Sequence, residues 1–238
     1  MKKETSNRIR FWIEDVMPAF VRDSALFRWA ATRAFGDSIV KLANFRKRVT
    51  YVTEDEYAEI YKSTPAMHEH GDNTAASNDV LVANIVGESV CDVGCGTGNL
   101  LAEIKRRRPD VKRFVGVDFA FDDANSLPGV EFVEAKIESL PFEDGEFDTV
   151  VCTHVVEHIL EYRKAIAELR RISKKRLIVI TPREREYYYT FNAHLNFFPY
   201  PHSLLRAMYP SPPVHECFDI KRDLYYQEDR PPSDAQAA

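Results

Sequence analysis

Val90-Cys91-Asp92-Val93-Gly94-Cys95-Gly96-Thr97-Gly98-Asn99 decides how the rest of the chain is read. A short apolar run ends in an acid and three glycines follow at alternate positions. A helical pattern then begins at once with Leu100, Leu101 and Ile104. The order is strand, tight turn, helix, the opening of a nucleotide-binding type of α/β fold. Glycine removes the Cβ where backbone must bend sharply or meet a ligand closely. The helix start beyond the turn adds free N–H groups and a positive dipole end.

The spacing narrows the ligand. A dinucleotide fingerprint reads G-x-G-x-x-G and rests a pyrophosphate on that helix end. Here the third glycine comes one position early, and Asp92 stands at the strand end where it would repel a pyrophosphate. A carboxylate there suits a cationic ligand carrying an ammonium and a sulfonium. Twenty positions past Gly98, Val115-Gly116-Val117-Asp118 forms a second short strand ending in an acid, a position suited to ribose hydroxyls.

With these residues in view, the chain resembles the class I S-adenosylmethionine (SAM)-dependent methyltransferases. It is most similar to the small-molecule enzymes with an "LPF…FD" segment and an "EH" pair. The resemblance runs from Ser89 to about Pro182, through VCDVGCGTG, VGVDF, SLPFEDGEFDTVVCTHVVEHI and RLIVITP. It implies a Rossmann-like α/β fold with a seven-stranded, mostly parallel sheet flanked by helices, and SAM as cofactor. It also implies cofactor contacts at Asp92, Gly94, Cys95, Gly96, Gly98, Asp118, Phe119, Ile137 and Thr153. Relatives place an acid near the adenine just before the "LPF" turn. Lys136 stands there in this chain, which leaves the backbone of Ile137 as the adenine partner.

The expected domains are an N-terminal helical extension over 1–78 and a SAM-binding domain over 79–230. A substrate-wall insertion occupies 183–209, and a disordered tail 231–238. Length and a hydrophobic content of 45% suit one domain with additions. Four cysteines without ligand-like pairing point to a reducing compartment. No apolar run reaches the ~18 residues of a membrane span, and no signal-peptide core opens the chain. A cytoplasmic protein is expected, with peripheral membrane contact as an added reading.

The formal net charge of −5 hides an asymmetry. Residues 1–48 hold eleven Lys/Arg against five Asp/Glu, a balance of +6, while the other 190 hold 21 against 32, a balance of −11. An acidic body argues against nucleic acid as partner. Between Ile9 and Phe35 apolar residues recur at helical spacing, interleaved with Arg8, Arg10, Arg22, Arg28 and Arg33 and interrupted at Pro18. Two readings stand: a helical cap packed on the core, or an amphipathic surface over residues 1–35 that touches anionic membrane.

Further along, a helix is expected over Glu54–Lys62 and a polar loop over 63–78, with His68 and His70 in solvent. A helix over Asp79–Val86 leads into the first strand. After Asp118, FAFDDANSLPG reads as a loop. The third and fourth strands are Val130–Val133 and Phe147–Cys152. A helix over Thr153–Ile172 and a fifth strand over Arg176–Ile180 follow, joined by a Ser-Lys-Lys-Arg turn where relatives carry "KPGG". A helix over Ser203–Met208 and strands over His215–Ile220 and Leu224–Gln227 close the domain.

Residues 187–202 hold seven aromatics and two histidines just past the C-terminal end of a strand, the edge where open α/β sheets bind ligands. Aromatics often only fill space. Asn192, His194, Asn196 and two prolines would be costly to bury unpaired, which favours a substrate wall. Its candidates are Tyr189, Asn192, Tyr200 and His202, with His158 from the "EH" pair.

SAM carries its own leaving group, so the protein must align a nucleophile and exclude water. An alcohol nucleophile also needs a base or a metal. His154 and His194 are the candidate bases, His154 at the start of the expected helix, where the positive end keeps an imidazole neutral. Positions 154, 157 and 158 would share one face of that helix. Some relatives bind a divalent metal through Glu-x-x-Glu-His. Here His154 replaces the first Glu, and no metal is assigned; a hydrogen-bonded helix cap is the plainer role of Glu157-His158.

The reading is a SAM-dependent methyltransferase of a small-molecule or glycolipid-type acceptor, through O-methylation of a saccharide or similar metabolite. The alternatives are N- or C-methylation of a small metabolite, and a SAM-binding regulator without turnover.

Overall fold

The computed structural model describes residues 12–35, 51–53, 56–57, 73–121, 127–186 and 193–230. The residues expected to include His68, His70, Tyr189, Asn192 and the tail 231–238 lie outside these. The chain divides into two compact units, one of residues 1–69 with 184–197, the other of 70–183 with 198–238.

In the first unit a five-residue π-helical turn, Trp12–Val16, precedes two short helices, α1 (Ala19–Arg22) and α2 (Ala25–Phe35). The interruption falls at Pro18, whose extended ψ of 142° and missing N–H start a new helix. Ser24 Oγ accepts the Phe27 N–H at 3.1 Å and opens α2. Thr53 and Glu56 exchange side-chain and backbone bonds at 3.3 Å, as in a capping box; apart from 56–57, the expected Glu54–Lys62 helix lies outside the described residues. The Tyr57 hydroxyl donates to the Ala193 carbonyl at 2.7 Å, tying the 184–197 segment to its own unit.

The second unit opens with α3 (Ala75–Ala83). This helix begins four residues before the expected Asp79, inside the expected loop and across the expected boundary at 78. Thr74 is its N-cap, accepting the Ser77 N–H at 3.1 Å, and two alanines follow as strong helix formers. Then come β1 (Ser89–Val93), α4 (Asn99–Arg107), β2 (Arg113–Asp118), β3 (Glu131–Glu134) and β4 (Phe147–Thr153). A 3-10 turn at Val156–His158 leads to α5 (Tyr162–Ile172), β5 (Ser173–Pro182), α6 (Pro201–Ala207), β6 (His215–Ile220) and β7 (Asp223–Asp229).

The seven strands form one sheet in the order β3-β2-β1-β4-β5-β7-β6. Five strands are parallel, and β7 runs antiparallel to both β5 and β6. The fold is the expected seven-stranded α/β sheet. The strand order reverses between β1 and β4, whose C-terminal ends carry Asp92 and Thr153, so the ligand edge follows from topology. Because β7 is antiparallel, its first residue, Asp223, pairs with Pro182 and lies at that same edge.

Helices cover both faces, so the central strands are apolar without alternation. Cys91, Val93, Val150, Cys152, Leu177 and Val179 pack on one side with Ile166, Leu169 and Ile172 of α5. Val90, Val151, Ile178 and Ile180 pack on the other with Leu81, Leu101 and Ile104 of α3 and α4.

Two local expectations are corrected. Thr153–Ile172 is not one helix: Thr153 still pairs with Ile180, so strand geometry persists to that point. A single 3-10 turn must then redirect the chain before α5 can lie along the sheet. The Ser-Lys-Lys-Arg stretch is not a turn either. Ser173 follows the last residue of α5 directly in extended conformation and pairs with Phe147, across a register shift at Phe147/Thr149. Lacking glycine, the stretch extends the strand, and Lys175 bonds Asp148 at 2.9 Å.

Candidate active site

The turn after β1 is built by its own backbone. The N–H groups of Gly94 and Cys95 both donate to the Val117 carbonyl, at 2.7 and 3.0 Å, so the turn hangs on β2. Gly94 has φ +82°, and a Cβ there would stand 2.0 Å from Val155 Cγ2. Gly98, at φ +80°, caps α4, and a Cβ on it would press on Phe132 at 2.9 Å. Gly96 differs: at φ +52° its missing Cβ would meet nothing within 4 Å. The two flanking glycines serve packing, and the central one leaves open space above the turn.

One carboxylate, Asp118, borders that turn, and a second, Asp92, lies on the neighbouring strand β1. Asp118 Oδ2 accepts the Gly96 N–H and Oδ1 the Phe119 N–H, each at 2.8 Å. Burial raises the Asp118 pKa, and the N–H groups of Gly96, Phe119 and Ala120 partly offset it. Asp92 is buried, and its Oδ1 is a polar atom with no hydrogen-bond partner. Burial, then the Asp118 charge, pushes its pKa up to about 8. A buried acid without a partner beside an open glycine turn is completed by a cation, as the ammonium and sulfonium of SAM supply. The residues therefore fit SAM.

The other expected cofactor residues surround the same edge. Cys95 is buried and its thiol pKa is raised, by burial first and then by Asp92 and Asp118. Phe119 is exposed and Ile137 buried. Thr153 Oγ1 accepts from Asn73 Nδ2 at 3.2 Å, and the Asn73 Oδ1 has no hydrogen-bond partner. Asn73, just ahead of the Thr74 cap, carries no local motif that would have singled it out.

His154 stands elsewhere than expected. It does not begin a helix: it follows the last residue of β4 with φ +56°, a left-handed conformation rare outside glycine. Its N–H donates to Ile180 O at 2.9 Å. Its Nδ1 lies 3.6 Å from Glu157 and its Nε2 3.7 Å from Asp223, both buried carboxylates. Asp223 also accepts from Ser77 Oγ, and from Thr74 Oγ1 at 3.4 Å. With 154 outside any helix, positions 154, 157 and 158 do not share a helical face. Asp223 lies 69 positions from His154, and only the antiparallel return of β7 brings it here.

His158 sits in the 3-10 turn, its N–H on Val155 O at 2.8 Å. Tyr200 and His202 stack with centroids 5.2 Å apart and planes at 12°, Tyr200 capping α6. In the other unit His194 Nδ1 bonds the carboxylate of buried Glu184. Glu184, two residues past β5, was missed because nothing in the sequence links positions ten apart.

The chain matches the family described as "Methyltransferase domain" over residues 91–180. It is 31% identical over 101 residues to the 2-phytyl-1,4-naphtoquinone methyltransferase of Trichormus variabilis, covering 37% of this chain and 43% of that protein. It is 26% identical over 190 residues to the chloroplastic magnesium protoporphyrin IX methyltransferase of Arabidopsis thaliana, covering 75% of this chain and 58% of that one. The chain thus spans less than two thirds of either relative. The solved PH0226 protein of Pyrococcus horikoshii shares the fold, with TM-score 0.55 and 18% identity over 73% of this chain and 99% of that one. The strand order, the open glycine turn with its strand-end acids and the match over 91–180 make this chain similar to the class I S-adenosylmethionine-dependent methyltransferases.

Proposed function

We propose that this chain transfers the SAM methyl group to a small-molecule acceptor, at a hydroxyl oxygen of a saccharide-like or lipid-linked compound. The observation that carries the transfer is buried Asp92, its Oδ1 without a hydrogen-bond partner, on the strand next to Asp118 and its open Gly96 turn. SAM supplies an electrophilic methyl group with its own leaving group. Asp92 holds the cationic end, Asp118 the ribose, and the Ile137 backbone the adenine.

Two further observations bear on the acceptor. His194 and Glu184 form an imidazole–carboxylate pair, the arrangement that fixes a tautomer and keeps a ring nitrogen available as a base for a hydroxyl proton. The relatives act, by name, on a phytyl-bearing naphthoquinone and on a porphyrin, which supports a small-molecule acceptor with a large apolar part. In this reading Tyr200 and His202 line the acceptor wall, and His154 positions the end of β4.

The test is formation of S-adenosylhomocysteine from SAM across a panel of hydroxylated saccharides, glycolipids and quinols. Turnover with a hydroxyl acceptor, lost in His194→Ala, is the expected result. SAM binding without turnover on any acceptor would support the regulator instead.

A further inference from the structure

The helix α2 is amphipathic in the reverse of the usual sense. Leu26, Trp29, Ala30 and Arg33 share one face by helical spacing, and that face is the exposed one. Leu26 is 73% exposed and Trp29 60%, while Ala31 on the opposite side is buried. Phe20 in α1, at 80%, and Trp12 in the preceding turn, at 60%, extend the same kind of surface. Four large apolar side chains within 18 residues are too many to leave in water without use. A basic side chain accompanies them: Arg33 lies over the Trp29 ring at 5.7 Å.

We infer that this surface docks on an anionic lipid bilayer. Charge complementarity selects the occupant. The segment 1–48 carries a balance of +6 and the rest of the chain −11, so an anionic plane attracts this end and repels the remainder. Tryptophan and arginine also suit the two depths of a bilayer interface, the ring at headgroup level and the guanidinium among the phosphates. No helix among the described residues is long and apolar enough to cross a membrane, so the helix lies on the surface. The inference deepens the proposed function, since an acceptor with a large apolar part partitions into the same bilayer.

The full chain is sedimented with vesicles of phosphatidylcholine mixed with phosphatidylglycerol, and with phosphatidylcholine alone. Binding to the mixed vesicles only, released by high salt, is expected. Arg33→Glu should weaken partitioning by about fivefold or more. The double variant Leu26→Ser, Trp29→Ser should weaken it by about tenfold or more. Calorimetric SAM affinity, measured in parallel, should stay unchanged in every variant. Loss of SAM binding in the parent chain would strike the methyltransferase reading alone. No binding to mixed vesicles, or binding indifferent to the double variant, would overturn the docking. So would self-association abolished by that variant, which would make the occupant a second copy.

Discussion

Gly96 donates its N–H to Asp118 Oδ2 at 2.8 Å, so the glycine turn and the strand-end acid form one unit before any ligand arrives. The carboxylate is thereby aimed over the turn, and the lone pairs left over point to where ribose hydroxyls would sit. Asp118→Ala removes both the ribose acceptors and the support of the turn. It should weaken SAM binding by roughly 1.5–3 kcal/mol per hydrogen bond lost, about ten- to hundredfold in Kd for one. Isothermal calorimetry measures this, and an unchanged affinity would overturn the site.

The three glycines should separate by variant. Gly94→Ala places a Cβ 2.0 Å from Val155 in a left-handed conformation, so the fold itself suffers. A fall in Tm of roughly 5 °C or more is expected. Gly96→Ala meets no atom within 4 Å and carries only the φ strain, about 1–2 kcal/mol. It should keep its fold by circular dichroism and lose SAM affinity, because the added methyl enters the ligand's space.

Asp92 gives a pH signature whose sign is fixed. Its pKa is about 8 in the folded protein against an ordinary 3.8, so between those values the folded state holds a proton that the unfolded state has released. Its contribution to stability is present at low pH and lost as pH rises from about 4 to about 8. Asp92→Asn should therefore flatten the slope of Tm against pH in that window, relative to the parent chain. A cationic ligand favours ionised Asp92, so SAM binding at neutral pH should release a proton. Calorimetry in buffers of different ionisation enthalpy reads it, and absence of release would remove Asp92 from the cofactor site.

His154 and His194 should behave differently. His154→Ala takes the imidazole from between two buried carboxylates and should cost about 1–3 kcal/mol of stability, with turnover falling only as the folded fraction falls. His194→Ala should keep SAM affinity and lose roughly 10²–10⁴-fold in turnover, with Glu184→Gln between it and the parent chain. Normal turnover in His194→Ala would move the reaction to an N- or C-nucleophile, which needs no such base.

Local pattern determined much of this protein. Asp92, the glycine triplet and Asp118 were legible because strand, turn and helix are built from neighbours in sequence, and their chemistry depends on spacing alone. The short apolar runs of β1, β2, β4 and β5 were legible as strands, and the seven-stranded sheet was what the family resemblance implied. The distinct tasks of Gly94, Gly96 and Gly98 were not legible, since only packing against Val155 and Phe132 separates them. Nor was the left-handed His154, because the pairing of Thr153 with Ile180 extends the strand where helical spacing had suggested a helix. Asp223 reaches His154 through the antiparallel β7, and Glu184 reaches His194 across ten residues. Such contacts join positions that no local pattern links, and only the tertiary structure brings them together. The exposure of Leu26 and Trp29 belongs to the same class: helical spacing defined an apolar face, and only the tertiary structure decided that it points to solvent.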